Sequence, residues 1–181
     1  MVYRFSMKPL FLHTPPPQRC LIAMLAFLLT LPLWANGESL TARDGGDLVR
    51  VGDAVPAFSA TLHSGQVLSE SFWREGNIVL VFFNTTCSDC RKELPLVQEM
   101  MQAHGTRYTF VAIGRQQDPE AAARSRQEHG LSLTYAIDAD RSIFSRFARV
   151  GIPRIYVIRN GTVTAAFQQK VSRKKLRRAL R

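Results

Sequence analysis

Residues 78–95 read IVLVFFNTTCSDCRKELP, and this stretch decides the fold. Its first six residues are all apolar and do not alternate with polar ones, which is typical of a central parallel strand buried on both faces. Between residues 88 and 103 the apolar positions recur at helical spacing, and residues 108–113 form a second apolar run that predicts another strand. The three elements predict a βαβ unit with a right-handed crossover.

Turn and helix signals on both sides of this unit complete the predicted fold. Residues 55–61 and 66–68 flank His63-Ser64-Gly65 and predict a short N-terminal β-hairpin. Asn160-Gly161, a strong turn signal, separates two apolar runs and predicts a second hairpin. The remaining patterns predict helices at 119–129, at 141–149 and in the C-terminal tail, and a strand at 133–137. The fold class is α/β, with a central mixed β-sheet flanked by helices and an N-terminal β-hairpin extension.

The formal net charge of +10 comes from the two ends of the chain. Residues 1–35 hold three cations and no acid, and residues 170–181 hold seven cations and no acid, which leaves 14 cations and 14 acids between them. The body therefore offers no basic platform, and this balance argues against nucleic-acid binding. The basic tail predicts either weak contact with acidic lipid headgroups or an acidic partner, or simply the solvated outer face of a last helix.

The N-terminal region carries a targeting signal. Residues 20–35 read CLIAMLAFLLTLPLWA and follow a basic leader, but they fall short of the roughly 20 residues that span a bilayer as a helix. This pattern predicts a signal peptide over 1–35, with an uncleaved membrane anchor as the alternative, and hence an exported, periplasmic protein. The polar, Gly-containing residues 36–50 predict a flexible linker, and 51–181 the folded domain.

Once the targeting segment is set aside, Cys87 and Cys90 are the remaining cysteines, in one Cys-x-x-Cys motif. A chain with no other cysteine has no structural disulfide framework, and a disulfide closing so short a ring would stabilise little. A zinc site would need two more ligands at suitable spacing. A Cys-x-x-Cys in a βαβ context therefore indicates a redox pair.

The placement of the motif at a strand-to-helix turn predicts the role of each sulfur. A helix N-terminus stabilises negative charge, and in such motifs it lowers a thiol pKa from its ordinary value near 8.5. Cys87 is therefore expected to be the nucleophile, and Cys90, one turn further on, to resolve the mixed disulfide. Ser88 and Asp89 lie between them and are expected to tune the redox potential. The charge of Asp89 disfavours a thiolate, which predicts a reducing pair near −270 mV rather than near −120 mV.

Three motifs resemble one family in matching order: Val-Gly-Asp-x-x-Pro at 51–56, Asn-Thr-Thr-Cys-Ser-Asp-Cys-Arg-Lys-Glu-Leu-Pro at 84–95, and Val-Gly-Ile-Pro at 150–153. They resemble the exported thioredoxin-like proteins of the TlpA/ResA type. The resemblance implies a thioredoxin-like fold and an extracytoplasmic thiol–disulfide oxidoreductase. It also implies that a membrane thiol carrier supplies electrons, and that the Cys87–Cys90 disulfide is the redox group, with no separate cofactor and no metal.

The resemblance also implies roles for residues outside the cysteine pair. Pro153 matches a cis-proline beside the cysteines, where the neighbouring backbone at Ile152 binds the extended chain of a substrate. Glu93 matches a glutamate that assists proton transfer; the alternative is a solvated acid in the first turn of a helix. The chain departs from the family pattern at Thr86, where tryptophan is common, and at Asp89, where proline is usual. It departs again around Pro153, where Ile152 and Arg154 occupy positions that frequently hold threonine.

The predicted function is reduction of disulfides in other exported proteins. The client is open, and apoproteins of cytochrome c are one candidate. One alternative is a copper chaperone that holds Cu(I) between thiolates, although such chaperones on this fold use three residues between their cysteines and a distal histidine. The other is a peroxiredoxin-like peroxidase, which would need Thr and Pro where this chain has Asn84 and Leu80.

Overall fold

The computed structural model describes residues 46–181. The predicted signal peptide or anchor, and residues 36–45 of the predicted linker, lie outside the described residues. In chain order the elements are β1 (Ala60–Thr61), β2 (Val67–Leu68), α1 (Glu70–Arg74), β3 (Asn77–Phe83), α2 (Ser88–His104), β4 (Thr109–Arg115), α3 (Pro119–Glu128), β5 (Thr134–Asp138), α4 (Phe144–Phe147), β6 (Arg154–Arg159), β7 (Thr162–Gln168) and α5 (Arg173–Ala179).

Strand β3 lies at the centre of a five-stranded mixed sheet with the order β5-β4-β3-β6-β7. It pairs in parallel with β4 and antiparallel with β6, so that Val81 lies between Ala112 and Ile155. Strands β4 and β5 are parallel, and β6 and β7 form the antiparallel hairpin predicted around Asn160-Gly161. Both turn residues have positive φ, which Gly adopts freely and Asn tolerates.

The two faces of β3 belong to two separate cores, which explains its unalternating apolar run. Ile78, Leu80 and Phe82 pack on the face that holds Trp73, Phe147 and other aromatic residues. Val79, Val81 and Phe83 pack on the other face, against residues of α2 and α5. Because every β3 side chain after Asn77 is buried, the strand has no polar face to expose.

The predicted elements are present, and two of them are shorter than their sequence patterns. The N-terminal hairpin is confirmed but pairs only two residues on each strand. Helix α4 covers only part of the predicted segment 141–149, because the buried carboxylate of Asp138 caps its start by accepting from the backbone N–H groups of Ile143 and Phe144. The helix ends at Ala148, whose extended backbone forms a β-bridge with Asp47. Helix α1 was not predicted.

Residues 46–50, the last five of the predicted linker, are hydrogen-bonded to and partly packed against the rest of the domain. The backbone N–H groups of Leu48 and Val49 donate to the carbonyl of Phe147, and Arg149 donates to the carbonyl of Gly46. Val49 is buried in the aromatic core. Leu48-Val49 is an isolated apolar pair in a polar stretch and therefore a weak signal in sequence. In the structure Val49 joins the core, and the backbone N–H groups of both residues are hydrogen-bonded. The folded domain therefore includes residues 46–50.

The C-terminal helix α5 is confirmed as an amphipathic segment. Ser172 caps it by accepting from the N–H of Lys175, and Val171, Leu176 and Leu180 are buried against the core that contains α2. Its cations stay exposed on the opposite side. Among residues 46–181, no helix is both long and apolar enough to cross a membrane.

Candidate active site

The two cysteines lie at the junction of β3 and α2, as predicted, and both are free thiols. Cys87 is the N-cap of α2: its backbone is extended, and its sulfur accepts a hydrogen bond from the N–H of Cys90 at 3.3 Å. Cys87 is partly exposed, whereas Cys90 is fully buried in the core beneath it. The Cys87 sulfur is therefore partly accessible to solvent, whereas Cys90, one helical turn further along the chain, is buried.

Burial also changes the pKa of the Cys90 thiol. The pKa of Cys90 is raised well above its ordinary value, chiefly by desolvation and then by its hydrogen bond with Cys87. The negative charge of Asp89, in the first turn of α2, raises the pKa of Cys90 further. Cys90 thus stays a protonated thiol at neutral pH. The backbone N–H of Cys90, at the start of α2 where negative charge is stabilised, donates to the sulfur of Cys87.

The loop 84–86 that presents Cys87 is held by two amide side chains. Asn84 accepts hydrogen bonds from the backbone N–H and the hydroxyl of Thr86. It donates to the carbonyls of Arg115, the last residue of β4, and of Gln116. Gln117 is buried, and its side-chain oxygen accepts from the backbone N–H of Thr85 at 2.8 Å. Sequence reasoning did not assign either residue a positioning role. The available signal was an amide just beyond the carboxyl end of each of two neighbouring parallel strands.

The loop 150–153 brings the second predicted part of the site to the cysteines. The Ile152–Pro153 peptide bond is cis, as the resemblance implied. The thiol of Cys87 donates to the carbonyl oxygen of Ile152 at 3.8 Å. The loop therefore brings the Ile152 carbonyl to the sulfur of Cys87, although 65 residues separate the two in sequence.

Glu93 is a buried acid, so the alternative of a solvated first-turn acid is wrong. The residue is 7% exposed, and one of its carboxylate oxygens has no hydrogen-bond partner. Burial raises its pKa, and the nearby charge of Asp89 raises it further. The backbone amide of Val171 and the charge of Lys170 oppose that shift without cancelling it. Glu93 follows Cys90 by three residues, which places both on one side of α2.

Ser88 and Asp89 occupy the first turn of α2 between the cysteines. Ser88 is exposed and Asp89 is half-buried. Among residues 46–181, no group of three or more His, Cys, Asp or Glu side chains is placed to hold one metal ion.

Comparison with known proteins agrees with this geometry. The Redoxin family profile matches residues 50–180. A proposed protein disulfide isomerase from Bacteroides thetaiotaomicron is 24% identical, with a TM-score of 0.69 over 76% of this chain and 90% of its own. A secreted disulfide oxidoreductase of Mycobacterium tuberculosis, homologous to E. coli DsbE, is 25% identical, with a TM-score of 0.61 over 68% and 94%.

A third solved structure, a proposed thiol:disulfide interchange protein DsbE from Chlorobium tepidum, is 20% identical, with a TM-score of 0.66 over 73% and 96%. Identities this low establish the fold rather than the client. A search among curated proteins found no significant match. The thioredoxin-like fold and the predicted resemblance to the TlpA/ResA type are confirmed. The chain belongs to the Redoxin family and is a thiol–disulfide oxidoreductase.

Proposed function

We propose that this protein is an exported reductase of disulfide bonds in other exported proteins. The observation that carries the proposal is the asymmetry of the dithiol: a partly exposed Cys87 sulfur at a helix N-terminus, backed by the buried, protonated Cys90. The Ile152 carbonyl beside Cys87 supplies a backbone acceptor where an extended substrate chain would lie.

The first step is attack by the Cys87 thiolate on one sulfur of a substrate disulfide. A new bond forms between Cys87 and that sulfur, the substrate S–S bond breaks, and the second substrate sulfur leaves as a thiolate that takes a proton from water. The N–H of Cys90 stabilises the attacking thiolate. The backbone at Ile152 and Pro153 orients the substrate chain, so that the attacked sulfur lies in line with Cys87.

The second step resolves the mixed disulfide. Cys90 loses its proton and attacks the sulfur of Cys87; the substrate leaves as a free thiol, and the Cys87–Cys90 disulfide forms. Because burial raises the pKa of Cys90, this step needs a base close to it. Glu93 is the candidate: it is buried on the same side of α2, and its own raised pKa brings it closer to that of the thiol.

A dithiol in a membrane thiol carrier would then return the enzyme to its reduced form by the same exchange in reverse, supplying two electrons and two protons. The targeting signal predicted over residues 1–35 and the likeness to a secreted M. tuberculosis oxidoreductase both support export. The periplasm is the compartment in which such a signal, a reducing pair and exported disulfide substrates come together.

The reductase direction rests on the charges and burial around the pair. Burial of Cys90 and the charge of Asp89 both keep Cys90 a protonated thiol, so the reduced form gains no stabilisation from a Cys90 thiolate. A dithiol whose reduced form is not stabilised is a reductant, at the thioredoxin end of the potential range near −270 mV.

Trapping variants test the proposed function. Cys90→Ala removes the resolving thiol and is expected to accumulate mixed disulfides with exported proteins, which mass spectrometry of the captured partners would identify. Cys87→Ala is the matched control, and it is expected to capture none because the nucleophile is absent. Capture by Cys87→Ala alone would reverse the two roles, and failure of the unaltered enzyme to reduce insulin would refute the function.

A further inference from the structure

Arg154 follows the cis-proline directly and is only 2% exposed, which is rare for an arginine. A buried guanidinium requires both a counter-charge and acceptors for its donors. Its counter-charge is Asp47, a residue of the N-terminal segment that packs beside this loop, and the two side chains form an ion pair.

The same guanidinium also binds the backbone of the loop in front of it. Its Nε donates to the carbonyls of Val150 at 3.1 Å and Gly151 at 3.0 Å, and its Nη2 donates to Val150 at 2.6 Å. Only arginine offers several donors in one rigid plane, so a single side chain holds two consecutive carbonyls and a carboxylate.

Two neighbouring parts of the chain approach this loop closely. Gly151 has φ +83°, and a Cβ at that position would lie 2.6 Å from the side-chain amide nitrogen of Gln168. Gly46 has φ +79°, and a Cβ there would lie 2.8 Å from a methyl group of Val150. Loop 150–153 is thus held between the N-terminal segment on one side and Arg154 with β7 on the other.

We propose that Arg154, fixed by Asp47, is a positioning residue for thiol–disulfide exchange. It holds the carbonyls of Val150 and Gly151, and this fixes the next residue, Ile152, with its carbonyl at the sulfur of Cys87. The bonds of Arg154 described above go to loop carbonyls and to Asp47, so its proposed role is positioning rather than catalytic. The inference deepens the proposed function, on which it rests: it assigns substrate-chain recognition to a loop whose position depends on a buried ion pair.

A comparison of two substrates separates positioning from general stability. Arg154→Met is measured with a disulfide-linked dimer of a linear peptide, which uses the loop backbone, and with the aromatic disulfide DTNB, which has no peptide backbone. The variant is expected to lose about 10-fold to 100-fold in kcat/KM for the peptide, mostly through KM, and little for DTNB. Arg154→Lys keeps the charge but not the planar fork, and is expected to recover only part of the loss.

Arg159→Met is the matched control. Arg159 ends the same strand, β6, and also donates to two backbone carbonyls, those of Ala179 and Arg181, but at the other end of the strand from the cis-proline. The Arg159→Met variant is expected to leave the ratio of peptide-disulfide activity to DTNB activity unchanged.

Three results would overturn the inference: equal losses on both substrates with Arg154→Met, no loss on the peptide, or the same change in ratio with Arg159→Met. If Arg154→Met does not fold, Asp47→Asn carries the test, because it removes the counter-charge and leaves the arginine in place. It is expected to shift the ratio in the same direction, and an unchanged ratio would refute the inference. Inactivity of the unaltered enzyme on both disulfides would refute the proposed function instead.

Discussion

The thiol of Cys87 lies 3.8 Å from the carbonyl oxygen of Ile152, so the reactive sulfur and the residue before the cis-proline share one surface. Central strand β3 ends in the loop that carries Cys87, and its antiparallel neighbour β6 begins just after Pro153. The proposed nucleophile and the proposed substrate-binding loop are therefore both placed by the ends of two adjacent strands.

The charge of Asp89 is expected to keep the dithiol reducing. Asp89→Asn removes a negative charge from the first turn of α2, where it opposes thiolate formation by the dithiol, so the reduced form is stabilised and the potential rises. We expect an increase of about 30 mV, equivalent to about 1.4 kcal/mol for a two-electron couple, measured by equilibration with glutathione. Ser88→Ala, which carries no charge change, serves as the control. A potential of the unaltered protein above about −180 mV would contradict the reductase direction.

Glu93 is expected to act in the resolving step. Glu93→Gln keeps the shape but cannot accept a proton, so release of substrate from the mixed disulfide should slow by about 100-fold while the first attack by Cys87 changes little. Stopped-flow measurement of the two phases separates them. Glu99→Gln, on the same helix and paired with Arg173 at the surface, is the control. Equal slowing of both phases would argue against a role specific to resolution.

The same residue makes a prediction about stability and pH. Folding raises the pKa of Glu93, so the folded state binds its proton more tightly than the unfolded state. The stabilisation that the protonated Glu93 carboxyl gives the folded state is therefore fully present below its unfolded-state pKa of about 4.5. It is lost as the pH rises through the folded-state pKa. Relative to the unaltered protein, Glu93→Gln should gain stability with rising pH across that window, as measured by urea unfolding. A difference that does not change with pH would show that the carboxyl is not perturbed.

Gln117 is expected to hold the loop before Cys87. Gln117→Ala leaves the partly buried N–H of Thr85 without its acceptor, which should cost about 1 kcal/mol in the free energy of unfolding. Gln127→Ala, at an exposed position in α3, should change it by less than about 0.5 kcal/mol. Equal effects of the two substitutions in urea denaturation would show that the hydrogen bond to the loop is not the cause.

The basic face of α5 is expected to bind anionic membranes weakly. Leu176 and Leu180 are buried, so truncating the tail would also damage the core, and charge neutralisation is the cleaner test. Lys174→Gln, Lys175→Gln and Arg178→Gln together should reduce binding of the chain without residues 1–35 to phosphatidylserine vesicles, by about 1 kcal/mol per charge. Neutral phosphatidylcholine vesicles are the control. Unchanged binding would leave α5 as a solvated helix face.

Patterns among neighbouring residues predicted most of the architecture. The run 78–83 indicated a strand buried on both faces, the spacing after Cys87 indicated α2, and Asn160-Gly161 indicated the second hairpin. These signals are local because strand, helix and turn preferences act over a few residues. The helix N-terminus at Cys87 is local in the same sense, so the nucleophile, the resolving thiol and their order could be inferred from spacing.

Contacts between residues that are far apart in sequence became known only from the tertiary structure. The backbone near Val171 hydrogen-bonds to the buried Glu93, and Gln117 accepts from the loop that carries Cys87. Arg154 pairs with Asp47, a residue that the sequence pattern placed in a linker. Each of these contacts depends on the order of strands in the sheet and on how the chain ends pack against it. No periodic pattern encodes that order, because a hydrogen bond or ion pair between distant residues leaves no spacing to read.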